Sequence, residues 1–217
     1  MKKYDIALFD LDGTLSESGE GILDSVCEVF RRTNRPLPSE DIIKSFIGPP
    51  MYDSLRRCGF SHEDAEKGVE IYKEAFIQSG IYKNKVYDGM NEVLEELKEN
   101  GILLAVATTK YQPFADRIIK MLNLDRFFDF VGGATADTTR RTKELVIRYD
   151  LENLNATPDS RIIMIGDTKF DAEGASKIGC DFIGALYGYG TKEEMEHFCP
   201  NAIFINQPSE IKNIILG

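Results

Sequence analysis

The apolar residues of this chain follow two different periods in two parts of the sequence. Between residues 16 and 86 they recur at every third or fourth position, which is the spacing of amphipathic helices. Ile22, Val26 and Val29 are the clearest example. After residue 86, short apolar runs alternate with helical stretches, which is typical of a parallel sheet covered by helices on both faces.

This change of period predicts two domains. We expect a split α/β domain made of residues 1–15 and 87–217, and a helical domain of residues 16–86 inserted directly after the first strand. The predicted fold class is therefore α/β, with a Rossmann-like, doubly wound parallel sheet and a small all-helical insertion.

The individual elements of the α/β part can be placed from apolar runs, glycines and prolines. In the helical part, Ser39 is expected to cap a short helix, and Ser61 with Asp64 resembles a capping box. The predicted strands cover residues 4–9, 102–107, 162–165, 182–186 and 202–205 with one near Phe130, and the predicted helices cover 91–100, 113–122, 143–149, a stretch after Asp171, and 208–216.

Polar residues follow three of the predicted strands at the point where each strand ends. Asp10 and Asp12 follow the first, Thr108 begins a polar cluster after the second, and Asp167 follows a third. Ligands of open parallel sheets bind outside the carboxyl ends of the strands. We therefore expect these three clusters to meet at one site.

The first cluster, Asp10-Leu11-Asp12-Gly13-Thr14, carries the most chemical information. Residues i and i+2 of an extended segment lie on the same side, so Asp10 and Asp12 would point toward one place. Gly13 and Thr14 allow a tight exit from the strand, with N–H groups free to face an anion. A surface turn is the simpler interpretation of an isolated Asp-Gly pair. The pair of carboxylates instead suits a metal ion and a phosphate group.

Composition narrows the possible partners. The net charge of -10 disfavours a nucleic-acid polymer, because such binding depends on basic side chains that neutralise phosphates. Asp5 and Asp10 interrupt the N-terminal apolar run, and no stretch reaches membrane-spanning length, so neither a signal peptide nor membrane association is expected. The four cysteines lack zinc or redox spacing. We expect a cytoplasmic protein, monomeric or a small homo-oligomer, that acts on a small phosphorylated metabolite.

Four motifs in order resemble the signatures of the haloacid dehalogenase superfamily of phosphohydrolases. The first is strong, and each of the others is weak when taken alone. They are Asp10-Leu11-Asp12-Gly13-Thr14-Leu15, Thr108 after an apolar strand, Lys143 at the start of a helix, and Gly166-Asp167 with Asp171 four residues later.

The resemblance implies a mechanism for the first and last motifs. Asp10 would be the nucleophile that forms an aspartyl-phosphate, and Asp12 would be the general acid and then the general base. Mg²⁺ would be held by Asp10, the backbone carbonyl of Asp12, and Asp167. Members that cleave carbon–halogen bonds lack an acid at the position of Asp12, so this residue favours phosphoryl transfer.

The resemblance also assigns phosphate-binding residues. Thr108 would hold a phosphate oxygen, with Thr109, Gly13 and Thr14 nearby, and Lys143 would offset the negative charge. Lys110 competes with Lys143 for that role, and a solvated lysine is the simpler interpretation of either. Asp171 would bind a metal-bound water or the lysine, and it could equally cap its helix.

The helical insertion is expected to be the cap domain that reads the leaving group in this superfamily. The chain is most similar to the phosphoglycolate phosphatase and 5'-nucleotidase branch, with Ser16-Glu17-Ser18 as a departure from its pattern. In the cap, Gly48 lies in a rigid loop, and Arg56 or Arg57 would bind a second anionic group unless both only form a solvated helix face. The motifs that carry this resemblance are Phe46-Ile47-Gly48-Pro49-Pro50, Val106-Ala107-Thr108-Thr109-Lys110 and Leu186-Tyr187-Gly188-Tyr189-Gly190.

Three alternatives remain beside a phosphatase. A phosphosugar mutase similar to beta-phosphoglucomutase would use the same scaffold and return the phosphate to a sugar. A phospho-accepting receiver protein would lack both the cap and Asp12. A binding protein without activity conflicts with the intact set of acids and Lys143. The sequence leaves the substrate open among phosphoglycolate, nucleoside monophosphates and sugar phosphates.

Overall fold

The computed structural model describes residues 2–137 and 139–217. The chain forms two compact units. One contains the residues up to Glu17 together with Val86–Gly217, and we call it the core unit; the other, Ser18–Lys85, is the helical unit.

The core unit contains alternating strands and helices. A short pair of strands, β2 (Ser16–Glu17) and β3 (Lys85–Val86), lies where the chain passes between the units. The other elements are β1 (Ile6–Phe9), α5 (Met90–Glu99), β4 (Leu103–Tyr111), α6 (Gln112–Met121), β5 (Phe130–Ala134), α7 (Lys143–Asn153), β6 (Ile162–Gly166), α8 (Lys169–Ile178), β7 (Asp181–Ala185), α9 (Lys192–Glu196), β8 (Ile203–Ile205), a 3-10 turn (Pro208–Glu210) and α10 (Ile211–Leu216).

A six-stranded parallel sheet organises the core unit, with the strand order β5-β4-β1-β6-β7-β8. β1 lies near its centre, with Phe9 in register with Val106 on one side and Ile165 on the other. The chain builds β4 and β5 on one side of β1 and then crosses to β6 on the other. The switch in direction therefore falls at β1, where ligands of such sheets bind.

The central strands are apolar because helices cover both faces of the sheet. All four residues of β1 are buried, and so are Ile163, Met164 and Ile165 of β6. Removing the large side chains among them, such as Leu8 and Phe9, from water contributes about 1.5–3 kcal/mol each, which holds the strand ends in place. The predicted α/β fold class is confirmed.

The helical unit consists of α1 (Gly19–Arg32), α2 (Glu40–Lys44), α3 (Met51–Arg57), α4 (His62–Gln78) and a 3-10 turn (Gly80–Tyr82). Phe30 lies at its centre and makes edge-to-face contacts with Phe46 and Phe60, at ring-centroid separations of 6.1 and 5.4 Å. The Ser61 hydroxyl accepts a hydrogen bond from the Asp64 N–H and caps α4.

Four local expectations need correction. The side chain of Ser39 makes no capping hydrogen bond to α2. The final helix begins as a 3-10 turn, and α7 continues to Asn153, beyond the predicted end at residue 149. β4 continues through residues 108–110 to Tyr111, because pairing of Tyr111 with Ala134 of β5 extends the strand after a register shift. The polar cluster of β4 is therefore the end of the strand itself.

Candidate functional site

Asp10 stands immediately after β1, at the centre of the sheet's carboxyl edge. Its backbone N–H donates to the Ile165 carbonyl at 2.9 Å, so the residue is held by the neighbouring strand β6. Asp10 is buried, with 7% of its surface exposed. Its carboxyl group is therefore fixed at the strand end and largely withdrawn from water.

The loop after Asp10 is shaped by Gly13 and Thr14. Gly13 has φ +90°, and a Cβ atom there would overlap the carboxylate of Asp167. The Thr14 hydroxyl donates to Oδ1 of Asp167 at 3.0 Å. Glycine is required at position 13 both by its positive φ angle and by the close approach of the Asp167 carboxylate. Through these contacts with Asp167, the loop joins the end of β1 to the end of β6.

Lys143 is the buried ammonium group of the site. Its Nζ lies 2.7 Å from Asp10 Oδ1 and 2.7 Å from the Ala107 carbonyl oxygen. It also lies 2.7 Å from Asp171 Oδ1. Lys143 is the first residue of α7, and Thr142 caps that helix by accepting from the Leu145 N–H. The helix start thus aims the lysine at the ends of β1 and β4.

Asp171 combines the two roles considered for it from the sequence. Its Oδ2 accepts from the Thr168 N–H at 2.9 Å and from the Thr168 hydroxyl at 2.7 Å, which caps α8. Its Oδ1 is the atom paired with Lys143. The carboxylate therefore has one oxygen for the helix and one for the lysine.

Three buried carboxylates cluster here, and Lys143 contacts two of them, Asp10 and Asp171. Oxygen atoms of Asp10, Asp167 and Asp171 lie within 4.8 Å of one another. Burial raises the pKa of Asp10 to about 6 against the opposing effect of Lys143. Burial, with Asp171 and Asp10 nearby, raises the pKa of Asp167 well above its usual range. Burial alone would lower the pKa of Lys143, but Asp10 and Asp171 raise it.

The clustered carboxyl groups bear on what the site could hold. If all three were ionised, their negative charge would exceed the positive charge of Lys143 in a region with little water, and a further cation would offset that cost. Carboxylate oxygens are the donors that a hard divalent cation such as Mg²⁺ prefers. The carboxylates of Asp10 and Asp167 could ligate such an ion. Both oxygens of Asp171 are already paired, one with Lys143 and the other with Thr168.

Asp12 points its carboxylate at a different lysine. Lys110 Nζ lies 3.0 Å from Asp12 Oδ1 and 2.8 Å from Oδ2. The two lysines that competed for one role from the sequence are therefore divided, Lys143 beside Asp10 and Lys110 beside Asp12.

The β4 end contributes two threonines. Thr108 is buried, and its hydroxyl accepts from the Lys110 N–H at 3.2 Å. Thr109 is half-buried. Both stand at the carboxyl end of the strand that neighbours β1, beside the Ala107 carbonyl that accepts from Lys143.

The two cap candidates lie in the helical unit. Gly48 has φ +103° and precedes Pro49 and Pro50. Arg56 lies in α3, and its guanidinium donates to the Phe60 carbonyl at 2.6 Å.

The sequence motifs did not indicate that the β7–α9 loop would hold Asp167. The Tyr189 N–H donates to Asp167 Oδ2 at 2.8 Å, and the Gly190 N–H donates to the Asp167 carbonyl at 3.1 Å. A Cβ atom on Gly188 or Gly190 would overlap atoms of Asp167. The alternating glycines in Tyr187-Gly188-Tyr189-Gly190 were the available signal, because glycine marks close approach of backbone to another group.

No helix in the described part of the chain is both long enough and apolar enough to cross a membrane.

Comparison with known proteins identifies relatives over most of the chain. The family model of haloacid dehalogenase-like hydrolases matches residues 7–185. A 5'-nucleotidase from Pseudomonas aeruginosa is 36% identical over 96% of this chain and 96% of its own length. A phosphoglycolate phosphatase from Vibrio parahaemolyticus is 27% identical over 94% of this chain and 93% of its own length.

A kinase is among the similar proteins as well. The tyrosine-protein kinase PtkA from Mycobacterium tuberculosis is 35% identical over 85% of this chain, and the match spans 63% of the kinase. Among solved structures, a predicted phosphatase from Clostridium acetobutylicum superimposes with a TM-score of 0.90 at 38% identity, covering 98% of each chain.

Proposed function

We propose that this chain, which belongs to the haloacid dehalogenase-like hydrolase family, is a phosphatase that hydrolyses small phosphomonoesters with Mg²⁺ through an aspartyl-phosphate on Asp10. The observation that carries this proposal is the cluster at the end of β1. Asp10 is paired with Lys143 at 2.7 Å, and carboxylate oxygens of Asp167 and Asp171 lie within 4.8 Å of its own.

Asp10 is suited to attack phosphorus because its backbone N–H and one of its carboxylate oxygens are held in place. Lys143 orients Oδ1 by a charge-assisted hydrogen bond, which leaves the other oxygen for a further contact. A carboxylate that attacks a phosphoryl group divides one difficult displacement into two easier steps. The ammonium of Lys143 would also offset the charge of the incoming phosphate.

The metal ion would be held by Asp10, the backbone carbonyl of Asp12, and Asp167. When bound, it supplies positive charge that stabilises the negative charge of the transferring phosphoryl group. Thr14 and the β7–α9 loop keep both oxygens of Asp167 oriented. Thr108 and Thr109, with the N–H of Thr14, would hold the phosphate oxygens. The Gly13 N–H, which the sequence suggested would face an anion, instead donates to the Ser16 carbonyl at 2.8 Å.

Asp12 would move the protons. In the first step Asp10 attacks phosphorus, the bond from phosphorus to the leaving oxygen breaks, and the Asp12 carboxyl gives that oxygen its proton. In the second step water attacks the phosphorus of phospho-Asp10 and gives a proton to Asp12, which releases inorganic phosphate and restores Asp10.

The helical unit would act as the cap domain and determine the leaving group, with Gly48 and Arg56 as its candidate residues. The core residues bind phosphate and metal, which all candidate substrates share. Discrimination between substrates must therefore depend on other contacts in the transition state. The similarity to a 5'-nucleotidase and to a phosphoglycolate phosphatase makes a nucleoside monophosphate and phosphoglycolate the first two substrates to test.

The test is phosphate release from these two compounds and from sugar phosphates, with Mg²⁺ and with a chelator. We expect turnover that the chelator abolishes and Mg²⁺ restores. Asp10→Asn should lower turnover by roughly 10³-fold or more while the protein stays folded, because a residue within a coupled catalytic unit carries most of the rate. Near-normal turnover by the folded variant would contradict the mechanism.

Borohydride provides a direct test of the covalent intermediate. Reduction of an acyl phosphate during turnover converts the aspartate to homoserine, which peptide mass spectrometry would locate at Asp10. Homoserine at another aspartate would exclude Asp10 as the nucleophile.

A second candidate function rests on the similarity to a tyrosine-protein kinase. In that case the phosphoryl group of a nucleoside triphosphate would pass to a tyrosine hydroxyl in place of water. A phosphosugar mutase would likewise retain the phosphate. Both alternatives predict little inorganic phosphate, and they differ in whether the product is phosphotyrosine or an isomerised sugar phosphate.

A further inference from the structure

A nearly buried ion pair joins Lys110 to Asp12 beside the Asp10 cluster. Nζ of Lys110 contacts both carboxylate oxygens of Asp12, at 2.8 and 3.0 Å. The side chains are 6% and 15% exposed, so water competes little for either partner. A contact of this kind restricts rotation of the carboxylate, because both oxygens would have to leave the ammonium together.

Both partners project from fixed backbone. Lys110 belongs to β4, where its N–H donates to the Thr108 hydroxyl and the next residue, Tyr111, pairs with Ala134 of β5. Asp12 forms a backbone bridge with Ser16 in the loop after β1. The ion pair therefore joins the loop after β1 to β4, the strand beside β1 in the sheet.

The two lysines of the site serve different carboxylates. Lys143 contacts Asp10 and Asp171. Its proposed role is to offset the negative charge of Asp10, the nucleophile, and of the incoming phosphate. Offsetting the charge of the nucleophile does not account for Lys110, because its ammonium group contacts Asp12, the proposed general acid and base.

We propose that Lys110 is a positioning residue that holds the Asp12 carboxyl group in the orientation needed for proton transfer. This inference rests on the proposed function, in which Asp12 protonates the leaving oxygen and later accepts a proton from water. Lys110 keeps its own proton in both steps and forms no bond to phosphorus. Proton transfer depends on a short, aligned path between donor and acceptor, so a freely rotating carboxyl group would be a poorer acid and a poorer base.

The leaving group provides the test. Para-nitrophenolate leaves without receiving a proton, whereas an alkoxide needs one. The experiment measures kcat/KM of the wild type and of Lys110→Met for two substrates. These are para-nitrophenyl phosphate and the best alkyl phosphomonoester from the substrate panel. Since a general acid contributes about 10²- to 10⁴-fold, we expect kcat/KM for the alkyl ester to fall by about 10-fold more than for the aryl ester. An equal fall for both esters would indicate a merely structural role and overturn the inference.

A double-mutant cycle determines whether Lys110 acts through Asp12. In the Asp12→Asn background, Lys110→Met should leave the ratio of alkyl to aryl kcat/KM unchanged, because the group that Lys110 positions is no longer an acid. A further selective loss for the alkyl ester in that background would mean that Lys110 contacts the substrate directly, which would contradict the proposal.

The same measurements separate this inference from the proposed function. If Asp12→Asn alone leaves the ratio unchanged, Asp12 is not the acid and both proposals fail. If Asp12→Asn lowers the ratio and Lys110→Met does not, only the role of Lys110 is wrong. Lys98→Met is the matched control, because it also removes a lysine paired to an aspartate in the core unit, Asp129 at 2.7 Å, and we expect no change in the ratio.

Discussion

Gly132 of β5 lies directly against the carboxyl group of Asp150 in α7, so closely that a Cβ atom on the glycine would overlap it. Asp150 is fully buried, and neither of its carboxyl oxygens has a hydrogen-bond partner within the described residues. α7 is also the helix that begins with Lys143. The absence of a side chain at Gly132 therefore determines how closely this helix packs on the sheet.

Gly132→Ala should destabilise the protein by about 1–3 kcal/mol, the usual cost of forcing extra atoms into a packed interior. The added methyl group would displace the Asp150 carboxyl group or the helix that carries it. Urea unfolding of the wild type and the variant measures this decrease in the free energy of unfolding. In an Asp150→Ala background the same substitution should cost less, since the overlapping group is gone. Equal costs in the two backgrounds would show that Asp150 is not what excludes a side chain at Gly132.

Asp150 also predicts how stability depends on pH. Burial raises its pKa to about 8 from the ordinary 3.8, against the opposing effects of Lys143 and Arg140. Between pH 3.8 and about pH 8, the Asp150 carboxyl group is ionised in the unfolded chain and still protonated in the folded protein. Its contribution to the free energy of unfolding therefore falls as pH rises through this range and stays constant above about pH 8.

Asp150→Asn removes this titration. The free energy of unfolding of the variant relative to wild type should therefore increase by roughly 1 kcal/mol per pH unit across that window. Urea unfolding of both proteins at several pH values tests the prediction. A constant difference would mean that Asp150 keeps its ordinary pKa in the folded protein.

Asp12→Asn should leave Mg²⁺ affinity nearly unchanged, because only the backbone carbonyl of Asp12 is proposed to bind the metal. Asp167→Asn should weaken it by about 10-fold or more, since even groups that only orient metal ligands have effects of that size. Isothermal titration calorimetry with Mg²⁺ compares the two variants without reference to turnover. A comparable loss in Asp12→Asn would make its side chain a ligand and leave the proton transfer to another group.

Arg56→Ala should change the relative activity toward phosphoglycolate and a nucleoside monophosphate if the helical unit determines selectivity. A shift of about 10-fold in the ratio of kcat/KM values corresponds to about 1.4 kcal/mol of differential binding in the transition state. Arg31→Ala is the control, because Arg31 is an exposed arginine of the same unit that pairs with Glu28. A uniform fall for both substrates would exclude Arg56 from discrimination.

The sequence alone was sufficient for the fold class and for the identity of the clustered groups. Hydrophobic period distinguishes helices from buried strands because each has its own repeat, and parallel strands bring the residues at their carboxyl ends to one edge. The sequence alone therefore predicts that Asp10 and Asp167 lie near one another. Ser39 shows the limit of such local rules, since a favourable capping residue makes no capping hydrogen bond.

Only the tertiary structure decided how the charged groups pair. Lys110 and Lys143 are equivalent in chemistry, and their division between Asp12 and Asp10 depends on the extra length of β4 and on where α7 begins. Sequence separation carries no information about such contacts, because they depend on distances of a few ångströms between distant segments. Asp150 shows the same limit: nothing in its local sequence distinguishes it from an exposed helical acid, and packing against Gly132 is what removes it from water.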